Sequence, residues 1–191
     1  MPEGKIVFIT GGARSGKSTL AEKLAASDGG PVAYIATAGV LDTEMAERVK
    51  QHRARRPAAW LTIEETLSLS RALEKVPEAV TVVIVDCLTL WLTNRLLQEW
   101  EAEAGGGTGA EAGKPEKTIL AELDAFLQLL PARPFQTVIV SNEVGCGIVP
   151  ESELARAFRD LAGRANQLAA SRADTVYLTV SGMPLLLKGS A

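Results

Sequence analysis

The sequence has few of the residues that build metal centres and disulfide frameworks. Its 191 residues include one histidine and two cysteines, Cys87 and Cys146. The two cysteines do not have the spacing of zinc ligands, and one histidine is too few to complete such a site. We therefore expect no zinc, and two thiols, buried or in loops, in a reducing compartment.

A basic excess and long apolar runs are also missing. The formal net charge is −3 at pH 7, whereas domains that bind nucleic acids in general are usually basic. No segment reaches the roughly 18 apolar residues of a membrane-spanning helix, and the apolar run in MPEGKIVFIT is too short for a secretory signal. We therefore predict a cytoplasmic protein that has no membrane span, binds no nucleic acid and holds any anion at a local site.

The sequence does contain short β-branched runs that alternate with longer helical patterns. The predicted strands are residues 5–10, 32–36, 81–86, 136–141 and 175–180, with a short last strand near PLLLK. The predicted helices are residues 17–27, 42–54, 66–75, 89–103, 115–130 and 152–172. Because the first four strands are almost continuously apolar, we expect helices on both faces of the sheet. With 47% hydrophobic residues, the chain predicts one α/β domain, residues 1–191, with a mostly parallel sheet.

One stretch interrupts this alternation. Residues 101–117, EAEAGGGTGAEAGKPEK, are rich in glycine and alanine and have no apolar periodicity. This composition favours a flexible surface loop. A lid over a substrate is the alternative interpretation.

The segment GGARSGKS, residues 11–18, fits the pattern G-x-x-x-x-G-K-[ST] and lies between a predicted strand and a predicted helix. The glycines let backbone N–H groups turn towards phosphates, and the helix N-terminus adds a favourable field. Lys17 would bridge the β- and γ-phosphates, and Ser18 would bind Mg²⁺. Because motif, strand and helix agree, an accidental glycine turn is disfavoured, and we predict a P-loop NTPase-type three-layer fold with a RecA-like central sheet.

A P-loop of this kind needs an acidic residue at the end of another strand to hold the metal. The run VVIVD provides Asp86. This aspartate could instead cap the helix that is predicted to start near Thr89, and the two roles are compatible. Together the motifs predict a nucleoside-triphosphate site, but they do not identify the reaction.

The histidine, His52, lies in the basic segment VKQHRARRPAAW. If this segment is helical, Glu44, Arg48, His52 and Arg56 share one face, and Pro57 ends the helix near Arg56. One interpretation is a solvated basic face. The other is a nucleophilic imidazole that attacks phosphorus while arginines neutralise the triphosphate. Neighbouring cations favour the neutral imidazole and a helix C-terminus favours the charged form, so both interpretations stay open.

Five segments occur in a fixed order: GGARSGKSTLAEKLA, YIATA, DTEMAERVKQHRARRPAAW, VIVDCLTLWLTN, and the segment from SNEVGCGIVP to PLLLK. In these segments the chain resembles the bifunctional adenosylcobinamide kinase / adenosylcobinamide-phosphate guanylyltransferases of cobalamin biosynthesis. The resemblance covers most of the chain, although residues 98–118 match no family motif. The P-loop is common to many proteins, whereas the histidine segment and SNEVGCGIVP are specific to this family.

The resemblance implies two reactions. In the first, the γ-phosphoryl group of ATP or GTP moves to the aminopropanol hydroxyl of adenosylcobinamide. In the second, His52 takes GMP from GTP as a phosphoramidate and passes it to adenosylcobinamide phosphate, which gives adenosyl-GDP-cobinamide. The resemblance also implies a homotrimer.

The implied site residues are catalytic His52 and Lys17, and Ser18 and Asp86 as Mg²⁺ ligands. The implied nucleotide contacts are Gly11, Gly12, Ala13, Arg14, Ser15, Gly16, Lys17, Ser18, Ala36, Thr37, Ala38, Arg53, Ala54, Arg55, Arg56, Glu64 and Asp86. Asn142 and Glu143 follow a strand at the edge where ligands of open α/β folds bind, but they receive no catalytic role.

Two other hypotheses remain. The chain could be a small-molecule kinase in which His52 is structural, and the absence of a protein-bound nucleotide intermediate would favour this reading. It could also be a nucleotide-dependent regulatory or nucleic-acid-binding module, which would bind polynucleotides in a salt-sensitive way. The acidic overall balance disfavours that last hypothesis.

Overall fold

The structure is a computed structural model that describes residues 4–39, 56–104 and 114–190. The strands are β1 (Ile6–Gly11), β2 (Val32–Ala36), β3 (Leu61–Glu64), β4 (Val82–Asp86), β5 (Gln136–Val140), β6 (Thr175–Val180) and β7 (Met183–Lys188). The helices are α1 (Lys17–Asp28), α2 (Leu69–Glu74), α3 (Leu88–Ala104), α4 (Lys114–Leu129) and α5 (Glu153–Arg172), and a 3₁₀ turn, Leu130–Ala132, follows α4.

The seven strands form one sheet in the order β3-β2-β4-β5-β1-β6-β7. All neighbouring pairs are parallel except β6 and β7, which form an antiparallel hairpin. The predicted α/β fold with a mostly parallel sheet is therefore confirmed. Because parallel strands end at the same edge of a sheet, the segments that follow β1, β2, β3, β4 and β5 all begin at that edge.

The alternation of side chains along the strands builds an apolar layer on each face of the sheet. On one face Phe8 belongs to a buried cluster with residues of α2 to α5, including Trp91 and Phe126. On the other face Ile9 packs with the buried alanines of α1, Ala21 and Ala25. The sheet is thus the middle layer of three, as predicted. In the described part of the chain, no helix is both long and apolar enough to cross a membrane.

Most predicted elements agree with the structure to within one or two residues. The sequence interpretation missed β3, and the helix predicted at residues 66–75 is confined to Leu69–Glu74. Helices α3 and α4 extend into the predicted loop of residues 101–117 from both ends, as far as Ala104 and from Lys114. The remainder of that loop, residues 105–113, and the predicted helix at 42–54 lie outside the described residues.

Candidate functional site

The P-loop connects the end of β1 to the start of α1. Gly16, the residue before α1, has φ 100°, and α1 has no acidic residue in its first turn. A side chain at Gly16 would also lie 3.1 Å from the Cα atom of Gly182 in the β6–β7 turn. The loop is tied to this hairpin, because the Gly182 N–H donates to the Ser15 carbonyl at 2.9 Å and the Ser15 and Thr179 hydroxyls lie 2.7 Å apart. These contacts therefore fix the loop that leads into α1, whose N-terminus favours an anion.

Lys17 is the first residue of α1, and only 6% of it is exposed. Its Nζ donates to the Gly12 carbonyl at 2.6 Å. Burial lowers the pKa of Lys17, whereas the neighbouring acidic groups Cys87 and Asp86 act in the opposite direction. The predicted catalytic lysine and the predicted metal ligand Asp86 therefore interact electrostatically at one site.

Three predicted nucleotide contacts lie in a row where strands end. Ala36, the last residue of β2, is paired with Glu64 of β3 on one side and with Asp86 of β4 on the other. On its other side β4 pairs with β5, and Asp86 lies opposite Val140. Strand β1 lies beyond β5. One strand thus separates the Asp86 strand from the P-loop strand, and all these residues share one edge of the sheet.

Tyr34 connects Asp86 to the basic segment. It is 1% exposed, and its hydroxyl donates to Oδ2 of Asp86 at 2.5 Å. Burial and the neighbouring Asp86 raise the pKa of Tyr34 well above its usual range, so the hydroxyl keeps its proton. The guanidinium carbon of Arg56 lies 3.4 Å from the centre of the Tyr34 ring. Arg56 therefore stacks on the ring of the same tyrosine whose hydroxyl donates to Asp86.

The segment after β2 is fastened to the end of β4. Thr37 is fully buried, and its hydroxyl donates to the Cys87 carbonyl at 2.7 Å and accepts from the Cys87 N–H at 2.8 Å. The amide of Asn94 in α3 donates to the Thr37 carbonyl at 2.9 Å. The Thr37 N–H also donates to the Asp86 carbonyl at 3.2 Å. The hydroxyl, the N–H and the carbonyl of Thr37 therefore all have partners within the protein.

A buried polar network holds the end of β5. The Ser141 hydroxyl donates to Oδ1 of Asn166 at 2.7 Å and lies 3.2 Å from the Thr89 hydroxyl. The backbone of Asn142 is held at both ends, since its N–H donates to Thr89 at 2.6 Å and its carbonyl accepts from Asn166 at 3.0 Å. The next N–H, that of Glu143, donates to the Gly11 carbonyl at 3.0 Å. The network therefore positions the SNEVG segment against the start of the P-loop.

The structure brings most of the predicted site residues to one edge of the sheet. The P-loop residues 11–18, residues 36–38, Arg56, Glu64 and Asp86 all lie there. His52, Arg53, Ala54 and Arg55 lie outside the described residues. The sequence interpretation did not single out Tyr34, although it lies in the quoted segment YIATA, two residues before Ala36 and so on the same face of the strand.

The oxygen donors at this edge fit Mg²⁺ bound together with a nucleotide. Mg²⁺ prefers hard oxygen ligands and usually takes one or two carboxylates plus substrate phosphates. Asp86 provides a carboxylate oriented by Tyr34, and Ser18 provides a half-buried hydroxyl in the first turn of α1. No group of three or more histidine, cysteine or acidic side chains that could enclose a metal occurs within the described residues.

Comparison with known proteins gives full-length similarities. A family model described as cobinamide kinase / cobinamide phosphate guanyltransferase matches residues 7–187. The bifunctional adenosylcobalamin biosynthesis protein CobP of Pseudomonas aeruginosa is 47% identical over 182 residues, which are 95% of this chain and 96% of that protein. The bifunctional adenosylcobalamin biosynthesis protein CobU of Escherichia coli K12 is 41% identical, with 96% of this chain and 99% of that protein covered.

A solved structure also shares the fold. The flagellar accessory protein FlaH of Methanocaldococcus jannaschii superposes with a TM-score of 0.52 at 16% identity, covering 100% of this chain and 80% of that one. At this identity the likeness concerns the fold alone.

Proposed function

Because the chain belongs to the cobinamide kinase / cobinamide phosphate guanyltransferase family, we propose that it phosphorylates adenosylcobinamide and then transfers GMP from GTP to the product through a guanylylated His52. The product would be adenosyl-GDP-cobinamide, an intermediate of cobalamin biosynthesis. The predicted enzyme class, a bifunctional kinase and guanylyltransferase, is confirmed by the family match.

The observation that carries the proposal is the position of Arg56. This arginine ends the basic segment that contains His52, and it stacks on Tyr34, which holds Asp86. Four residues of chain span at most about 14 Å. This short separation along the chain supports a role for His52 at the edge of the sheet where the P-loop and Asp86 lie.

The kinase step requires charge neutralisation and alignment. The N–H groups of the P-loop and the N-terminus of α1 bind the phosphates, and the Lys17 ammonium neutralises charge on the β- and γ-phosphates. The corrinoid hydroxyl oxygen forms a bond to the γ-phosphorus and loses its proton to water, while the bond from that phosphorus to the β-phosphate oxygen breaks and releases the nucleoside diphosphate. When bound through Asp86 and Ser18, Mg²⁺ would neutralise further phosphate charge.

The guanylyl step takes place at the α-phosphorus. A ring nitrogen of His52 forms a bond to the α-phosphorus of GTP, and the bond to the β-phosphate breaks, releasing pyrophosphate. A phosphate oxygen of the corrinoid then displaces the imidazole, which restores His52. The covalent intermediate divides one exchange between two large substrates into two simpler displacements. Arg53, Arg55 and Arg56 would neutralise the departing pyrophosphate.

The test is to incubate the protein with Mg²⁺ and GTP labelled at the α-phosphorus, and to measure label that survives denaturation. We expect acid-labile, alkali-stable label in the native protein and none in His52→Ala. Label at the γ-phosphorus should not be retained, which is the control for tight non-covalent binding. Native protein that binds GTP but retains no α-label would contradict the histidine intermediate.

The kinase reaction separates this proposal from a kinase with a structural histidine. His52→Ala should still phosphorylate adenosylcobinamide, because the phosphates in that step are held by the P-loop and Lys17. Comparing ATP with GTP in the same assay identifies the donor. If His52→Ala loses both reactions while remaining folded, His52 has a structural or binding role instead.

Assembly and location follow from the same proposal. A homotrimer is the proposed state, which light scattering after size-exclusion chromatography tests directly. The cytoplasm is the proposed location because the substrates include nucleoside triphosphates, and cell fractionation tests it.

A further inference from the structure

Tyr34 contacts two charged groups that the proposed function uses for different purposes. Its hydroxyl bonds to the carboxylate of Asp86, the proposed metal ligand, at 2.5 Å. Its ring lies 3.4 Å from the guanidinium carbon of Arg56, a proposed phosphate contact. The side chain is nearly fully buried in the layer between the sheet and α1. One buried side chain therefore contacts both an anion and a cation at the edge of the sheet.

The hydroxyl can act only as a donor to Asp86. An ionised carboxylate accepts hydrogen bonds and has none to give. The phenol carries a proton at neutral pH and is therefore the donor in the 2.5 Å contact. A donor on Oδ2 uses one of its two lone pairs and leaves both lone pairs of Oδ1 available to a metal. It also restrains rotation of the carboxylate about its last bond.

The ring acts on Arg56 in a different way. A guanidinium over an aromatic face is attracted by the ring quadrupole and is oriented parallel to the ring. The buried Nε of Arg56 makes no hydrogen bond to any described residue. The contact with the Tyr34 ring, at 3.4 Å from the guanidinium carbon, is therefore one that can orient this side chain.

We propose that Tyr34 is a positioning residue that orients Asp86 through its hydroxyl and Arg56 through its ring, so that the metal end and the arginine end of the nucleotide site keep a fixed separation. This inference rests on the proposed function, because it assumes that Asp86 holds a divalent cation and that Arg56 contacts the nucleotide. The orientation of Asp86 depends on the hydroxyl of Tyr34 and that of Arg56 on its ring, so different substitutions of Tyr34 can separate the two effects.

The test uses the full chain, a non-hydrolysable GTP analogue and Mn²⁺, whose free concentration is read by electron paramagnetic resonance. Tyr34→Phe removes the hydroxyl and keeps the ring. We expect Mn²⁺ to bind about tenfold more weakly in the presence of the analogue, as is typical when a partner of a metal ligand is removed. The affinity for the analogue without metal should stay unchanged. Tyr177→Phe, which removes the hydroxyl of the other tyrosine of the chain, should bind both like the native protein.

Tyr34→Leu removes the ring as well. We expect it, unlike Tyr34→Phe, to weaken metal-free binding of the analogue, by a factor of about three to thirty, the range expected from losing one cation–π contact. Since this variant could fail to fold, Tyr34→Phe decides the claim about Asp86 by itself. Native Mn²⁺ affinity in Tyr34→Phe would overturn that claim, and equal metal-free affinities in a folded Tyr34→Leu would overturn the claim about Arg56.

Failure of this inference can be distinguished from failure of the proposed function. If the native protein is labelled by α-labelled GTP and binds Mn²⁺ with the analogue, the proposed function stands whatever the tyrosine variants show. If the native protein binds the analogue but no Mn²⁺, Asp86 is not a metal ligand and the positioning role fails with it. The labelling experiment then reports on His52 independently.

Discussion

Asn166 lies in the middle of α5, and its side chain forms hydrogen bonds to the two residues that follow β5, Ser141 and Asn142. We predict that Asn166→Ala destabilises the protein and displaces the SNEVG segment. The substitution removes two hydrogen bonds, one from Ser141 at 2.7 Å and one to the Asn142 carbonyl at 3.0 Å. The Ser141 hydroxyl still has Thr89 at 3.2 Å, whereas the Asn142 carbonyl loses this partner.

The magnitude follows from these contacts. Two lost hydrogen bonds contribute about 1 kcal/mol each, and the partly buried carbonyl left without its partner adds about 1 kcal/mol. Alanine has the higher helix propensity, which offsets about 0.6 kcal/mol of this loss of stability. The free energy of unfolding should therefore fall by about 2 kcal/mol.

Urea denaturation measures this change, and the dependence on urea concentration should keep its slope. The control is Gln167→Ala on the exposed side of the same helix, which should change the free energy of unfolding by less than about 0.5 kcal/mol. Combining Asn166→Ala with Ser141→Ala should give less than the sum of the single effects. Equal stability of the Asn166 and Gln167 variants would refute the reasoning, because the hydrogen bonds of Asn166 would then make no net contribution to the free energy of unfolding.

Two further predictions concern the P-loop and the buried thiol. Gly16→Ala should weaken nucleotide binding at least about tenfold, because alanine is strained by about 1–2 kcal/mol at positive φ and its methyl group would press on Gly182. Calorimetry with GTP measures the affinity, and the control is Gly163→Ala on α5, where an added methyl group meets no neighbour within 4 Å. Unchanged affinity in Gly16→Ala would contradict the prediction. Burial raises the pKa of Cys87 to about 12 from the usual 9.0. Since the folded-state pKa is the higher one, stability is independent of this thiol below pH 9 and falls between pH 9 and about 12, by about 1.4 kcal/mol per pH unit. Urea titrations of native protein and Cys87→Ala should diverge just above pH 9, and parallel curves would contradict the prediction.

The strands that could be predicted are those whose burial is uniform. In β4 the first four residues are buried, and in β5 the last four, so each appears in the sequence as an unbroken apolar run. β3 lies at the edge of the sheet, and of its four residues only Ile63 is buried. An exposed edge strand leaves no such run, so LTIE could not be distinguished from a loop. Its strand character comes from pairing with β2, which is a tertiary contact.

The site was predictable where chemistry imposes a local spacing. The P-loop pattern identifies residues 11–18, and an apolar run that ends in an acid identifies Asp86. The polar side chains that support these residues follow no local pattern. Tyr34 is separated from Asp86 by 52 positions, and Ser15 from Thr179 by 164. Such pairs depend on which strands become neighbours, and one sequence does not contain that information.

The position of β1 in the sheet has a consequence for the order in which the chain becomes functional during synthesis. The P-loop is made first, yet its strand is flanked by β5 and β6, and its backbone is bonded to Gly182. A ribosome must therefore extend the chain by about 170 residues beyond the loop before the loop has its supports. Nascent chains therefore lack these contacts to the P-loop until the β6–β7 hairpin emerges.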